Sequence, residues 1–147
     1  MDVRTALFQG TRRLEEAGVA APRLTAEVLL AHVLGRERVW LFAHSEEDLT
    51  GSQQAASESA LERRLDGEPT QYITGRQEFW GREFRVTPDV LIPRPETEHV
   101  VEAALETARG AKRIADAGCG SGILAITLQL ETGAQAWATD ISPAALR

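Results

Sequence analysis

The sequence is poor in cysteine and has no long apolar segment, the features that are typical of exported and membrane proteins. It contains a single cysteine, Cys119, which excludes an internal disulfide framework. Its longest apolar runs, Val28–Leu34 and Ile123–Leu130, are interrupted by His32 and Thr127, and both fall well short of the roughly 20 residues that cross a bilayer. The first residues lack the apolar core and the cleavage site of a signal peptide. We therefore expect a cytoplasmic protein that has no membrane partner.

Basic residues are also in deficit. There are 16 lysines and arginines against 22 aspartates and glutamates, for a net charge of −6. A protein that binds nucleic acid through its phosphates needs a basic face, so we expect no direct contact with nucleic acid. The histidines do not have the spacing of metal ligands, and we predict no metal site. The hydrophobic content of 43% is typical of a globular protein, which we expect to be a monomer.

Residues 1–70 show helical periodicity with clear stops. Gly18 and Gly35 follow the first two apolar stripes, as expected of glycines just beyond a helix end, and Thr25 is the predicted N-cap of the second helix. A third segment covers Arg38–Ala43, and a fourth runs from about Ser52 to Asp66. Four short helices with brief connections predict a small antiparallel helical bundle.

Residues 71–93 have the pattern of a β-hairpin linker. Two short extended segments, Gln77–Trp80 and Glu83–Val86, flank Gly81-Arg82, a Gly-X pair that suits a type II′ turn. A third extended stretch is predicted at Val90–Ile92.

Residues 94–147 change pattern again. A helix opening at Pro95 is followed by a strand at Arg113–Ala117, a helix at Ile123–Glu131 and a strand at Ala134–Thr139. This βαβ order predicts the opening of a doubly wound parallel sheet. Ser142-Pro143 then has the pattern of another helix start. The predicted fold class is α/β, with an all-α domain at the N-terminus.

A glycine-rich turn between the first of these strands and its helix is the main candidate binding site. The turn comprises Gly118, Cys119, Gly120, Ser121 and Gly122, and Asp140 stands at the end of the next strand. Glycines let the backbone approach a ligand, and an acid in that place can accept hydrogen bonds from ribose hydroxyls. The pattern fits an S-adenosylmethionine site. It also fits a dinucleotide site, or a turn that only packs.

Two features leave a structural and a functional interpretation open. Cys119 is either a reactive thiol activated by the helix N-terminus or a small residue between glycines. The segment from Tyr72 to Glu98, with the run Ile92–Glu98 at its end, is physically a hairpin leading into a charged helix start. It can equally be a strap that packs Phe79, Trp80 and Phe84 against one domain.

Three ordered motifs resemble the HemK/PrmC family, the release-factor glutamine methyltransferases. These are the hairpin with the run Ile92–Glu98, the loop Asp116–Gly122, and the segment Ala138–Leu146. Residues 21–27 are similar to the start of that family's N-terminal domain. The resemblance implies a Rossmann-like domain that binds S-adenosylmethionine, and an N-terminal bundle that docks class I peptide chain release factors, whose Gly-Gly-Gln glutamine would be methylated.

Carried over to this sequence, the resemblance places the methionine part of the cofactor along Gly118–Gly122 and its ribose at Asp140, while Asp116 orients the loop. The family's catalytic Asn-Pro-Pro-Tyr motif does not occur in the printed residues, so no catalytic residue is assigned. We expect this chain alone to be inactive, and transfer of labelled methyl to a release factor by it would contradict that expectation. We also expect residues 94–147 to be less stable than the bundle.

Other functions fit parts of the same pattern. A ribosomal-protein glutamine methyltransferase would share the motifs, as would a DNA adenine methyltransferase, which the acidic charge disfavours. A non-catalytic module that binds release factors without turnover is an alternative of a different class.

Overall fold

The computed structural model describes residues 1–146, which form two compact units with a division after Thr74. The first unit contains five helices: α1 (Val3–Glu16), α2 (Pro22–Leu34), α3 (Arg38–Ala43), α4 (Gly51–Leu65) and α5 (Thr70–Thr74). The second contains a hairpin of β1 (Arg76–Phe79) and β2 (Arg82–Arg85), a 3₁₀ turn at Pro95–Thr97, and then α6 (Glu98–Thr107), β3 (Arg113–Ala117), α7 (Ile123–Thr132) and β4 (Gln135–Thr139).

In the first unit, α2 lies at the centre and packs against α1, α3, α4 and α5. Its apolar side is almost fully buried, and Leu14 of α1 and Leu41 of α3 have no exposed surface. The predicted helical bundle is therefore present. It includes the short α5, whose Ile73 is buried against Leu29 and Ala60. Five residues are too few for periodicity to reveal a helix.

The predicted helix ends are confirmed, but one predicted cap is wrong. Gly18 and Gly35 both have positive φ, 70° and 61°, and each stands at or just beyond a helix C-terminus. Thr25 is not the N-cap of α2, because the helix begins three residues earlier at Pro22. Proline fits the first helical position, because a backbone N–H there would have no intrahelical acceptor. The N-cap is Ala21, whose φ of 49° is left-handed.

The hairpin of the second unit forms one residue earlier than predicted. Phe79 pairs with Arg82, so the two-residue loop is Trp80-Gly81. Both loop residues have positive φ, 53° and 67°, which defines a type I′ turn and corrects the predicted type II′ turn. Its twist matches that of the flanking strands.

The third extended stretch predicted at Val90–Ile92 is also wrong. The Val90 amide donates to the carbonyl of Thr87 at 3.1 Å and closes a turn. Residues 91–94, which follow this turn, have no regular secondary structure.

The βαβ unit is confirmed. Strands β3 and β4 pair in parallel from Arg113 opposite Gln135 to Ala117 opposite Thr139, and α7 packs on both strands. Ala115 and Trp137 face each other on the opposite side of the sheet, where both are exposed. After β4 the described residues form a turn, in which the Ser142 hydroxyl accepts a hydrogen bond from the Ala145 amide at 3.4 Å, as an N-cap would. Over residues 1–146, no helix has the length and apolarity to span a membrane.

Candidate functional site

The glycine-rich turn joins the end of β3 to the start of α7. Gly118, Gly120 and Gly122 all have positive φ, of 80°, 53° and 75°, a conformation that other residues adopt at a cost. A Cβ added at Gly118 or Gly120 would meet no atom within 4 Å. These glycines are therefore required by the path of the backbone, and the space beside them is open.

Backbone hydrogen bonds fix the turn against the end of β4. The carbonyl of Thr139 accepts from the amides of Gly118, at 2.7 Å, and Cys119, at 3.0 Å. The amide of Gly122 donates to the carbonyl of Cys119 at 2.8 Å. The turn is thus already folded by contacts within the chain.

Asp140 adds a side-chain link between the same two segments. Its Oδ2 accepts from the Gly120 amide at 2.8 Å and its Oδ1 accepts from the Ser142 amide at 2.9 Å. These backbone hydrogen bonds, from Ser142 first and Gly120 second, hold the pKa of Asp140 below its ordinary value. The carboxylate is therefore charged at neutral pH. Each of its oxygens has a second lone pair, which can accept a hydroxyl hydrogen.

Asp116 holds the other end of the turn. Its Oδ2 accepts from the Ala125 amide, in the first turn of α7, at 3.3 Å. Amides in a first helical turn have no intrahelical acceptor, so this carboxylate acts as a cap supplied by the preceding strand. This contact joins the end of β3 to the start of α7, while the orientation of the loop by Asp116 stays a prediction.

Cys119 does not have the surroundings of a nucleophile. Its side chain is buried, and burial raises the pKa of its thiol, with the negative charges of Asp116 and Asp140 raising it further. Because the thiolate is the reactive form, this environment favours the interpretation of Cys119 as a small packing residue.

The hairpin packs on the helices that flank the site. Phe79 and Phe84 are buried with Val101 of α6 and with Ile123 and Leu128 of α7. Within the second unit, this is the packing expected of a strap.

Two polar contacts complete the attachment of the hairpin. Glu98, at the start of α6, accepts the Trp80 amide at 2.9 Å through its Oε1. Arg82 forms an ion pair with Glu131 at 2.8 Å. The sequence singles out the Ile92–Glu98 run but does not predict that Glu98 accepts this hydrogen bond, because its partner lies 18 residues earlier. Arg94 and Glu96 of the same run are exposed.

An open cleft of about 550 Å³ lies beside the turn. One wall is β2, from Glu83 to Arg85, and another is the segment around Thr87 and Asp89. Ser121 of the turn contributes to its lining. The structure thus brings the glycine turn, Asp140 and Asp116 together. Within residues 1–146, no contact of Arg94 or Glu96 assigns either residue to the site.

Comparisons with known proteins find matches in both units. The family model described as the PrmC N-terminal domain matches residues 5–75. The "Release factor glutamine methyltransferase" of Koribacter versatilis is 48% identical over 150 residues, which cover 100% of this chain and 54% of that protein. The chain belongs to the HemK/PrmC family and corresponds to its N-terminal part. The protein of the same description from Moorella thermoacetica is also 48% identical, over 99% of this chain and 53% of its own length. One from Coxiella burnetii is 49% identical over 86% of the chain and 47% of its own length.

The chain spans about half the length of these curated relatives. A second family model, described as ribosomal protein L11 methyltransferase (PrmA), matches residues 94–147. The glycine turn and Asp140 therefore lie in a region that resembles methyltransferases generally, while the family-specific match extends through the first unit.

Proposed function

We propose that this chain is the substrate-docking and cofactor-binding part of an S-adenosylmethionine-dependent methyltransferase that modifies the glutamine amide in the Gly-Gly-Gln motif of class I peptide chain release factors. The observation that carries the proposal is the match to release factor glutamine methyltransferases over both units. Residues 94–147 alone would support only a methyltransferase of unspecified substrate.

The cofactor assignment uses the turn Gly118–Gly122 and Asp140. A bound S-adenosylmethionine would supply a methyl group already activated by its sulfonium. The charged Asp140 carboxylate, with one free lone pair on each oxygen, suits the two hydroxyls of a ribose. The space beside Gly118 and Gly120 is open, and the methionine part would lie there, along the turn formed by Gly118, Cys119, Gly120, Ser121 and Gly122.

We assign one role to each of the three segments predicted from the sequence. Residues 1–70 would form the docking bundle, residues 71–93 the hairpin linker, and residues 94–147 the first part of the methyltransferase domain. We further propose that the protein acts in the cytoplasm as a monomer, without a metal ion and without direct contact to nucleic acid.

A ribosomal protein is the second candidate substrate, because residues 94–147 match a model named for a ribosomal protein methyltransferase. Binding assays with the immobilised chain separate the two candidates. We expect a purified class I release factor to bind and ribosomal protein L11 to remain in the flow-through. Retention of the ribosomal protein, with no retention of the release factor, would transfer the proposal to the second substrate.

A further inference from the structure

The glycine turn is poorly suited to bind phosphate, although turns of this kind often do. Phosphate sites at a strand–helix junction use free backbone amides and the positive end of the helix dipole. Here the amides of Gly118, Cys119, Gly120 and Gly122 all donate to acceptors within the chain. Of the turn's five amides, only that of Ser121 has no acceptor among residues 1–146.

The first turn of the helix that follows already holds a carboxylate. The carboxylate of Asp116 accepts from the Ala125 amide at 3.3 Å, so a negative charge already occupies the first turn of α7. Asp140 places a second carboxylate on the other side, at 2.8 Å from the Gly120 amide. Burial raises the pKa of the Cys119 thiol, and the charges of both carboxylates raise it further. The field at the turn is therefore negative.

We infer that Asp116 is a specificity-determining residue, which excludes phosphate-bearing nucleotides from the turn and leaves it selective for a nucleoside ligand without phosphate. This inference rests on the proposed function for the ligand that is admitted, and on the geometry of α7 for the ligands that are excluded. Asp116 has two separable effects: its oxygen caps α7, and its charge repels an anion at the same helix end.

Two variants separate these effects. Asp116→Asn keeps an oxygen that can accept from the Ala125 amide but removes the charge, whereas Asp116→Ala removes both. Glu106→Gln makes the same change of charge at an exposed position of α6 and is the matched control. Adenosine and ADP are the probes, because they differ only by the diphosphate.

Binding of both probes to the full chain is measured by equilibrium dialysis at low salt. Removing one unit charge about 6 Å from a phosphate changes affinity by about tenfold, or about 1.4 kcal/mol, at an effective dielectric constant of about 40. We expect Asp116→Asn to bind ADP at least about tenfold more tightly than the parent chain does, with adenosine unchanged. Glu106→Gln should match the parent for both probes.

Hydrogen exchange at the Ala125 amide provides the second measurement. We expect protection to persist in Asp116→Asn and to fall in Asp116→Ala, which shows that any gain in ADP binding by the Asn variant is not caused by a disordered helix. Equal ADP binding by Asp116→Asn and Glu106→Gln would overturn the inference, as would a parallel gain for adenosine. S-adenosylhomocysteine is dialysed in the same series: its failure to bind the parent chain would count against the proposed cofactor, while the ADP comparison would still decide the role of Asp116.

Discussion

Replacing Glu27 by glutamine should destabilise the helical unit. Glu27 is 5% exposed, and its carboxylate lies 2.6 Å from Arg38 Nη2 and 3.1 Å from Arg23 Nε. Burial alone raises the pKa of Glu27, but the hydrogen bonds from Arg38 and Arg23 outweigh it and hold the pKa below its ordinary value. The carboxylate is therefore charged in the folded chain, and its two ion pairs join α2 to α3 and connect the first and second turns of α2.

The size of the effect follows from the exposure of the partners. Breaking a fully buried pair costs about 3–5 kcal/mol, but the Arg38 and Arg23 side chains are 48% and 76% exposed and can be hydrated when their partner is lost. We therefore expect a loss of about 2 kcal/mol in the free energy of unfolding, since charge-assisted hydrogen bonds contribute about 1.5–3 kcal/mol each before that discount.

The sign of the pH dependence is also fixed. Because the folded-state pKa of Glu27 lies below the unfolded value, its contribution is present above the unfolded pKa and is lost as the pH falls through the folded pKa. The difference between the parent chain and Glu27→Gln should therefore be largest near neutral pH and should shrink below about pH 4.5.

Urea unfolding is followed by amide hydrogen exchange in residues 1–74. This measures the difference in the free energy of unfolding for the first unit alone. Glu62→Gln, an exposed change on α4, is the matched control and should change stability by less than about 0.5 kcal/mol. A Glu27→Gln chain as stable as that control at neutral pH would refute the reasoning.

Three further predictions concern single side chains. Ala21→Gly should stabilise the first unit by up to about 1 kcal/mol in urea unfolding, because Ala21 is exposed and has a left-handed φ of 49°; a loss of stability would contradict the reason given. Phe79→Ala should cost the second unit about 3–5 kcal/mol, since Phe79 is 2% exposed within its core, and exchange of the α7 amides should report it. An unchanged exchange rate would show that the hairpin does not support α7. Cys119 should react with iodoacetamide at pH 8 more slowly than a free thiol, because burial and two carboxylates raise its pKa. Reaction at the rate of the unfolded chain would contradict this.

Much of the fold is predictable because local signals agree with tertiary packing. The helices that end at Gly18 and Gly35 carry both an apolar stripe and a left-handed glycine. The predicted boundaries of the βαβ unit agree with the structure, except that α7 ends and β4 begins one residue later than predicted. The agreement is close because both strands are bounded by polar residues and glycines. The position of the glycine turn follows from the same pattern.

The mispredicted hairpin turn depends on a contact distant in sequence. A tryptophan with φ of 53° is locally unfavourable, so propensity favours the Gly81-Arg82 turn. Trp80 is held in that conformation while its amide donates to Glu98, 18 residues later, and its side chain packs against the core of the second unit. The bond between Asp140 and the Gly120 amide spans 20 residues and likewise cannot be derived from local pattern.

Binding of S-adenosylmethionine to the chain tests the central claim most directly. Isothermal titration of the parent chain should show one site, and Asp140→Ala should lose most of the binding because it removes the ribose acceptor and the link to the Gly120 amide. Glu106→Gln should bind as the parent does. Absence of binding by the parent chain, or equal binding by Asp140→Ala, would contradict the assignment of the cofactor to this turn.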